Sequence, residues 1–161
     1  MARLVSLEEA ERLALRWRRE GKRVVLANGC FDLLHVGHIR YLRDARALGD
    51  ALIVGLNSDA SAGRLKGRGR PIMPAAERAE IVGAIEGVDA VVVFEEDSAD
   101  ALIARVKPDV HAKGTDYTEG SVPERPSVLA AGGRVAIAGD PKDHSTRDLI
   151  AIILSRFGPG R

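Results

Sequence analysis

Two rhythms of apolar positions alternate along the chain. Leu7, Ala10, Leu13, Ala14 and Trp17 recur at helical spacing behind Ser6 and Glu9, which form a capping-box pair, and Gly21 supplies a left-handed stop. A covering helix over Leu7–Glu20 is therefore predicted. Arg23–Ala27 and Ala51–Leu56 are short apolar runs that end in turn residues, Asn28-Gly29 and Asn57-Ser58-Asp59. Between them Ile39, Leu42, Ala45 and Leu48 mark a helix over His38–Leu48 that stops at Gly49, which completes a βαβ unit with a right-handed crossover. The alternation goes on: a helix over Ala76–Glu86, a strand over Ala90–Phe94, a helix over Ser98–Val106 and a short strand over Val110–Ala112. After the breakers Pro123 and Pro126 come a short helix over Ser127–Ala131, a strand over Arg134–Ala138 and a last helix over Thr146–Phe157. Five parallel strands alternating with helices predict a doubly wound α/β sandwich with helices on both faces.

Composition narrows the function classes without choosing one. A chain of 161 residues suits a single domain, read as a leading helix in 1–21 and a core in 22–161. With 45% apolar and 29% charged residues it is expected to be an ordinary soluble globular protein. Lys plus Arg number 24 against 23 Asp plus Glu, so net charge argues for neither a nucleic-acid nor a membrane partner. No apolar run approaches the ~18 residues of a membrane span, and the amphipathic first 20 residues do not resemble a signal core. Cys30 is the only cysteine, which leaves the cytoplasm as the default compartment.

Open α/β sheets bind ligands beyond the carboxyl ends of their strands. Here those segments are Asn28–His38, Asn57–Arg70, Glu95–Ser98, Lys113–Tyr117 and Gly139–Arg147, and they hold the polar chemistry. Arg64, Lys66, Arg68 and Arg70 with Gly63, Gly67 and Gly69 predict a mobile basic loop, either ligand-facing or a plain solvated turn. The densest segment is Asn28-Gly29-Cys30-Phe31-Asp32-Leu33-Leu34-His35-Val36-Gly37-His38, which leaves a strand and enters a helix. Gly29 permits a tight turn, and a helix N-terminus offers amides and a positive dipole end to an anion, so together they make a phosphate cradle. His35 and His38, on either side of Gly37, are placed to donate hydrogen bonds to phosphate oxygens. A zinc site built on Cys30 and the two histidines lacks a fourth ligand.

This run resembles the His-x-Gly-His signature of the cytidylyltransferase-like superfamily, which transfers nucleotidyl groups on a Rossmann-like fold. The likeness continues through Leu48-Gly49-Asp50, Asn57-Ser58-Asp59-Ala60-Ser61, Arg64-Leu65-Lys66-Gly67, Arg70-Pro71-Ile72, Glu77-Arg78, Phe94-Glu95-Glu96-Asp97 and Lys113-Gly114-Thr115-Asp116-Tyr117. It is similar over almost the whole chain to the adenylyltransferase domain of bacterial ADP-heptose synthesis. The resemblance implies catalytic roles for His35, His38 and Lys66, and nucleotide contacts from Cys30, Phe31, Asp116, Tyr117, Ser145, Thr146 and Arg147. It implies acceptor contacts from Asn28, Asp32, Arg78 and Lys113, with Asp32 also read as an orienting residue. The His144-Ser145-Thr146-Arg147 segment departs from the family's Ser-Thr-Thr pattern in its first and last residues. Ser145 and Thr146 keep the hydroxyls and helix-start amides that could hold the outer phosphates of an NTP, or that simply cap the helix. The implied chemistry joins the NMP of an NTP, ATP ahead of CTP, to a sugar phosphate such as D-glycero-β-D-manno-heptose 1-phosphate. Mg2+ arrives with the NTP, no metal ligand is assigned, and a homodimer is expected. The alternatives are a cytidylyltransferase for glycerol 3-phosphate or another polyol phosphate, and a nucleotide-binding domain without catalysis.

Overall fold

Strands β2 (Val24–Gly29) and β3 (Ala51–Asn57) lie at the centre of the protein, and every residue of β3 is buried. Near-continuous apolar runs of this kind suit a parallel sheet covered on both faces. The computed structural model describes residues 2–141 and 143–160. Around the central pair stand β1 (Arg3–Val5), β4 (Ala90–Phe94), β5 (Val110–Lys113) and β6 (Arg134–Ile137). All six strands are parallel, in the order β1-β4-β3-β2-β5-β6. Successive residues point to opposite faces, and the core divides accordingly. Val24 and Leu26 join one apolar cluster with Ala10 and Ala14 of α1 (Leu7–Arg19), Ile103 of α5 (Asp100–Val106) and Val128 of α6 (Arg125–Ala130). Val25 and Ala27 join the other, with Leu42 of α2 (Val36–Arg46) and Val82 of α4 (Ala75–Gly83). Each fully buried Leu or Val contributes about 1.5–3 kcal/mol.

Four expectations need correction. The sheet has six strands, because Arg3–Val5 pairs alongside β4 through Arg3–Ala90, Leu4–Val91 and Val5–Val92. The expected basic loop is in part a helix, α3 (Asp59–Lys66), capped by Ser58, whose side chain accepts the Ser61 amide. Helix α2 begins at Val36, two residues earlier than expected, because the imidazoles themselves cap it. Pro126 opens α6 instead of breaking the chain there, since the first turn of a helix tolerates a missing N–H.

From β2 the chain moves through β3 and β4 on one side and later through β5 and β6 on the other. The strand order therefore reverses between β2 and β5, and a crevice opens at their carboxyl ends. Asn28 and Lys113 stand on its two sides.

Candidate active site

A cleft of about 620 Å³ lies over the carboxyl ends of β2 and β5. Of the fourteen residues singled out from the sequence, thirteen line it: Asn28, Cys30, Phe31, Asp32, His35, His38, Lys66, Lys113, Asp116, Tyr117, Ser145, Thr146 and Arg147. Arg78 does not. Its guanidinium is fully buried and donates to Met73 O (2.9 Å), Cys30 O (2.6 Å), Asn57 O (2.9 Å) and the Asp59 carboxylate (2.7 Å). The acceptor contact expected of Arg78 is thus corrected: the side chain ties the ends of β2 and β3 to α4.

The two histidines are held by backbone amides. His35 Nδ1 accepts the Gly37 N–H at 3.1 Å, and His38 Nδ1 accepts the His35 N–H at 3.2 Å. An Nδ1 that accepts an amide has its lone pair occupied, so each neutral ring carries its proton on Nε2. Both rings therefore present a donor on the edge opposite their anchor. The ring centroids lie 3.9 Å apart, and His35 passes so close to Gly37 that a Cβ there would meet the ring at 2.9 Å. Only glycine accommodates this approach. Phe31 stands beside His38, with centroids 5.6 Å apart, and stacks on Tyr41 at 6.4 Å, while His144 stacks on His35 at 6.2 Å.

The turn between β2 and α2 is strained. Phe31 (φ 49°) and Leu33 (φ 55°) both occupy the left-handed region, at a cost of roughly 1–2 kcal/mol each. Two devices hold it. The Asp32 carboxylate, almost fully buried, accepts Arg70 Nε (2.7 Å), the Ile72 amide (2.7 Å) and the Met73 amide (3.1 Å). Burial opposes ionisation of Asp32, but the Ile72 amide, the Arg70 guanidinium and the Met73 amide outweigh it and hold the carboxyl below its usual range. Both oxygens are committed, so Asp32 orients the turn and does not face an acceptor, which corrects that expectation. The second device is the Thr146 hydroxyl, which donates to Asp32 O at 2.7 Å and lies 3.2 Å from Leu33 O. The Thr146 hydroxyl proton is engaged by the turn, while its helix-start amide lies at the cleft that Thr146 lines. Ser145 caps helix α7 (Thr146–Phe157) by accepting the Asp148 amide at 3.0 Å, and its own proton remains available.

Cys30 carries a thiol and not a thiolate: burial pushes its pKa up, against the opposing pull of Lys66, Arg78 and Arg70. Lys66 ends α3 at the rim, exposed and with no ion-pair partner among the described residues. Lys113 lies 3.8 Å from the buried Glu124 carboxylate and 4.8 Å from the centre of the Tyr117 ring. Among the described residues no group of three or more His, Cys, Asp or Glu side chains converges as a metal site. The Asp32 carboxylate, the one acid in the turn beside the histidines, is committed to Arg70 and the Ile72 and Met73 amides.

Sequence reasoning missed several lining residues. Arg40 of α2 pairs with Asp140 at 2.7 Å, the Tyr41 hydroxyl donates to Ala112 O at 2.6 Å, and Thr115 donates to Asp140 O at 2.7 Å. Arg40 and Tyr41 follow His38 by two and three residues inside the signature helix, and Thr115 lies within the Lys113–Tyr117 segment already marked by the sequence, so proximity to those motifs was the available signal.

The family profile for Cytidylyltransferase-like proteins matches residues 26–147. Relatives include the bifunctional protein HldE of Pelobacter propionicus, 50% identical over 140 residues, covering 87% of this chain and 29% of the relative. The bifunctional protein HldE of Proteus mirabilis is 48% identical over 147 residues, covering 91% of this chain and 30% of the relative. The chain thus spans under a third of the length of the curated relatives it matches. Among solved structures, the lipopolysaccharide core biosynthesis protein of Thermoplasma volcanium is similar with a TM-score of 0.61 and 32% identity, over 73% of this chain and 94% of that one.

Proposed function

The chain belongs to the cytidylyltransferase-like family, and from that premise we propose that residues 1–161 act as one nucleotidyltransferase unit joining a sugar phosphate to the NMP of an NTP. An oxygen of the acceptor phosphate attacks the α-phosphorus in line. A new P–O bond forms, the bond to the β-phosphate bridging oxygen breaks, and pyrophosphate leaves with the electron pair. A phosphate oxygen is already nucleophilic, so no strong base is required, and catalysis rests on positioning and on charge stabilisation. The observation that carries the reading is the pair of backbone-anchored imidazoles at the start of α2, each accepting an amide at Nδ1.

His35 and His38 donate to the phosphate oxygens where charge builds up, and Lys66 approaches from the rim. The amides that open α2 and α7 add donors without side-chain charge. Cys30 and Phe31 offer backbone to the nucleotide; Asp116, Tyr117, Ser145 and Arg147 enclose it; Asn28 and Lys113 face the acceptor. Mg2+ enters as part of the substrate, on the NTP.

ATP is the favoured nucleotide and D-glycero-β-D-manno-heptose 1-phosphate the favoured acceptor. The similarity to the HldE proteins, and to a protein described as acting in lipopolysaccharide core biosynthesis, supports this choice. Among the described residues no helix is long and apolar enough to cross a membrane, and a cytoplasmic site of action is the companion proposal. Ile152, Ile153, Leu154 and Phe157 of α7 are all exposed, which supports a homodimer. The test is pyrophosphate release across four NTPs with heptose 1-phosphate and glycerol 3-phosphate. Release with ATP and heptose 1-phosphate is expected; release only with CTP and glycerol 3-phosphate would replace the substrate reading, and no release with any pair would end it.

A further inference from the structure

His111 lies on β5, directly behind the floor of the cleft, and none of its surface is exposed. Its Nε2 is 2.7 Å from Asn28 Oδ1 at the end of β2, and its Nδ1 is buried with no hydrogen-bond partner among the described residues. Burial, with Lys113 close by, pushes its pKa down to about 3, against a smaller opposing pull from Asp100, so the ring is neutral at pH 7. A neutral ring carries one proton, and two arrangements are open to it. If Nδ1 held the proton, a buried N–H would be orphaned and Nε2 would have to accept from a turned Asn28 amide. If Nε2 holds it, the orphan is only a lone pair. Buried N–H groups without partners are the rarer and costlier case. The proton therefore sits on Nε2 and donates to Asn28 Oδ1.

This bond has a consequence across the strand-order reversal. With Oδ1 held from behind, the Asn28 amide can turn only its Nδ2 hydrogens to the cleft that Asn28 lines. We infer that His111 is a positioning residue that fixes the orientation of the Asn28 amide, so that the acceptor side of the cleft presents an uncharged N–H donor selecting for a phosphate or hydroxyl oxygen. The inference rests on the nucleotidyltransferase reading for the identity of the ligand, but not for the tautomer. His111 touches no substrate and acts only through Asn28.

Two measurements on the full chain decide it. Histidine 15N NMR of the ligand-free protein reads the tautomer without any turnover: a protonated Nε2 and bare Nδ1 at His111 support the inference, and a protonated Nδ1 overturns it. Kinetics then test the consequence. His111→Leu is expected to raise KM for the sugar phosphate about tenfold with KM for the NTP unchanged, the scale of one hydrogen bond to a charged group. His111→Gln, which can return an N–H to Asn28, is expected to recover most of that loss. In an Asn28→Ala background His111→Leu is expected to add nothing; a full additional loss there overturns the positioning role. If the wild type turns over no sugar phosphate, the proposed function falls, and the NMR result alone then decides for or against this inference.

Discussion

Two helices start at the same cleft, and they use their N-termini differently. Helix α2 has no acidic residue in its first turn, is capped by His35, and packs Leu42 and Ala45 into the core. Helix α7 is capped by Ser145, carries Asp148 in its first turn and fully buries none of its residues. The positive end of the α2 dipole is unanswered by any carboxylate of its own first turn, whereas at α7 Asp148 answers it in part and Arg147, beside it, restores a positive charge at the cleft. What α7 contributes instead is the Thr146 hydroxyl, which holds the strained turn from Phe31 to Leu33 in place. Two similar-looking helix starts thus differ in build: α2 opens on imidazoles anchored by its own backbone, the end proposed to meet the phosphates, and α7 opens on a hydroxyl that holds the turn leading into α2.

The largest effects should come from α2. His35→Ala or His38→Ala is expected to lower kcat by roughly 10²–10³, the scale of losing one preorganised donor, while the lost cap of α2 costs only about 1 kcal/mol of stability and leaves the fold intact. Near-normal turnover in both variants would erase the distinction between the helices. Thr146→Val keeps the shape and loses the hydroxyl. It should lower stability by about 1–2 kcal/mol in denaturant titration and also slow kcat, because the turn beneath the histidines relaxes. A loss of NTP affinity alone, with stability intact, would return Thr146 to a phosphate contact. Ser145→Ala should cost about 1 kcal/mol as a lost cap, read from the urea midpoint.

The smallest effect separates the cleft histidines from the buried one. His111 has a folded pKa of about 3, below the ordinary 6.5, so between those values the unfolded chain takes up a proton that the folded chain refuses. Stability should therefore fall as pH drops through this window, by about 1 kcal/mol between pH 6.5 and 5.5. His111→Leu should flatten that slope, which urea titrations at the two pH values will read. Asp32 and Asp100, both held below their usual range, lose their contribution only at more acid pH.

Legibility in the sequence followed the range of the interaction. The βα alternation, the Ser6–Glu9 capping box and the start of α7 at Thr146 depend on neighbours within a few residues, and the structure has them where the pattern did. Strand β1 is three residues long and draws its order from β4, some 85 residues away, so no local rhythm announces it. Helix α3 was hidden by Gly63 and the basic residues around it, and it depends on Ser58 as a cap and on Arg64 reaching Asp97. Arg78 shows the same limit at the site. An arginine near a phosphate-binding motif reads as a ligand contact until the carbonyls of Cys30 and Asn57 are seen to converge on it. The His-x-Gly-His segment was legible because its chemistry is local: two rings, one glycine and the amides between them.

The central claim is that two Nε2–H groups, fixed by the backbone of α2, meet the phosphates of a bound nucleotide. A crystal structure of the chain with a non-hydrolysable ATP analogue measures this directly. His35 and His38 Nε2 are expected about 2.7–3.1 Å from phosphate oxygens, with both Nδ1 atoms still on their amides. Phosphates seated on α7 instead, with the two rings turned from them, would contradict it.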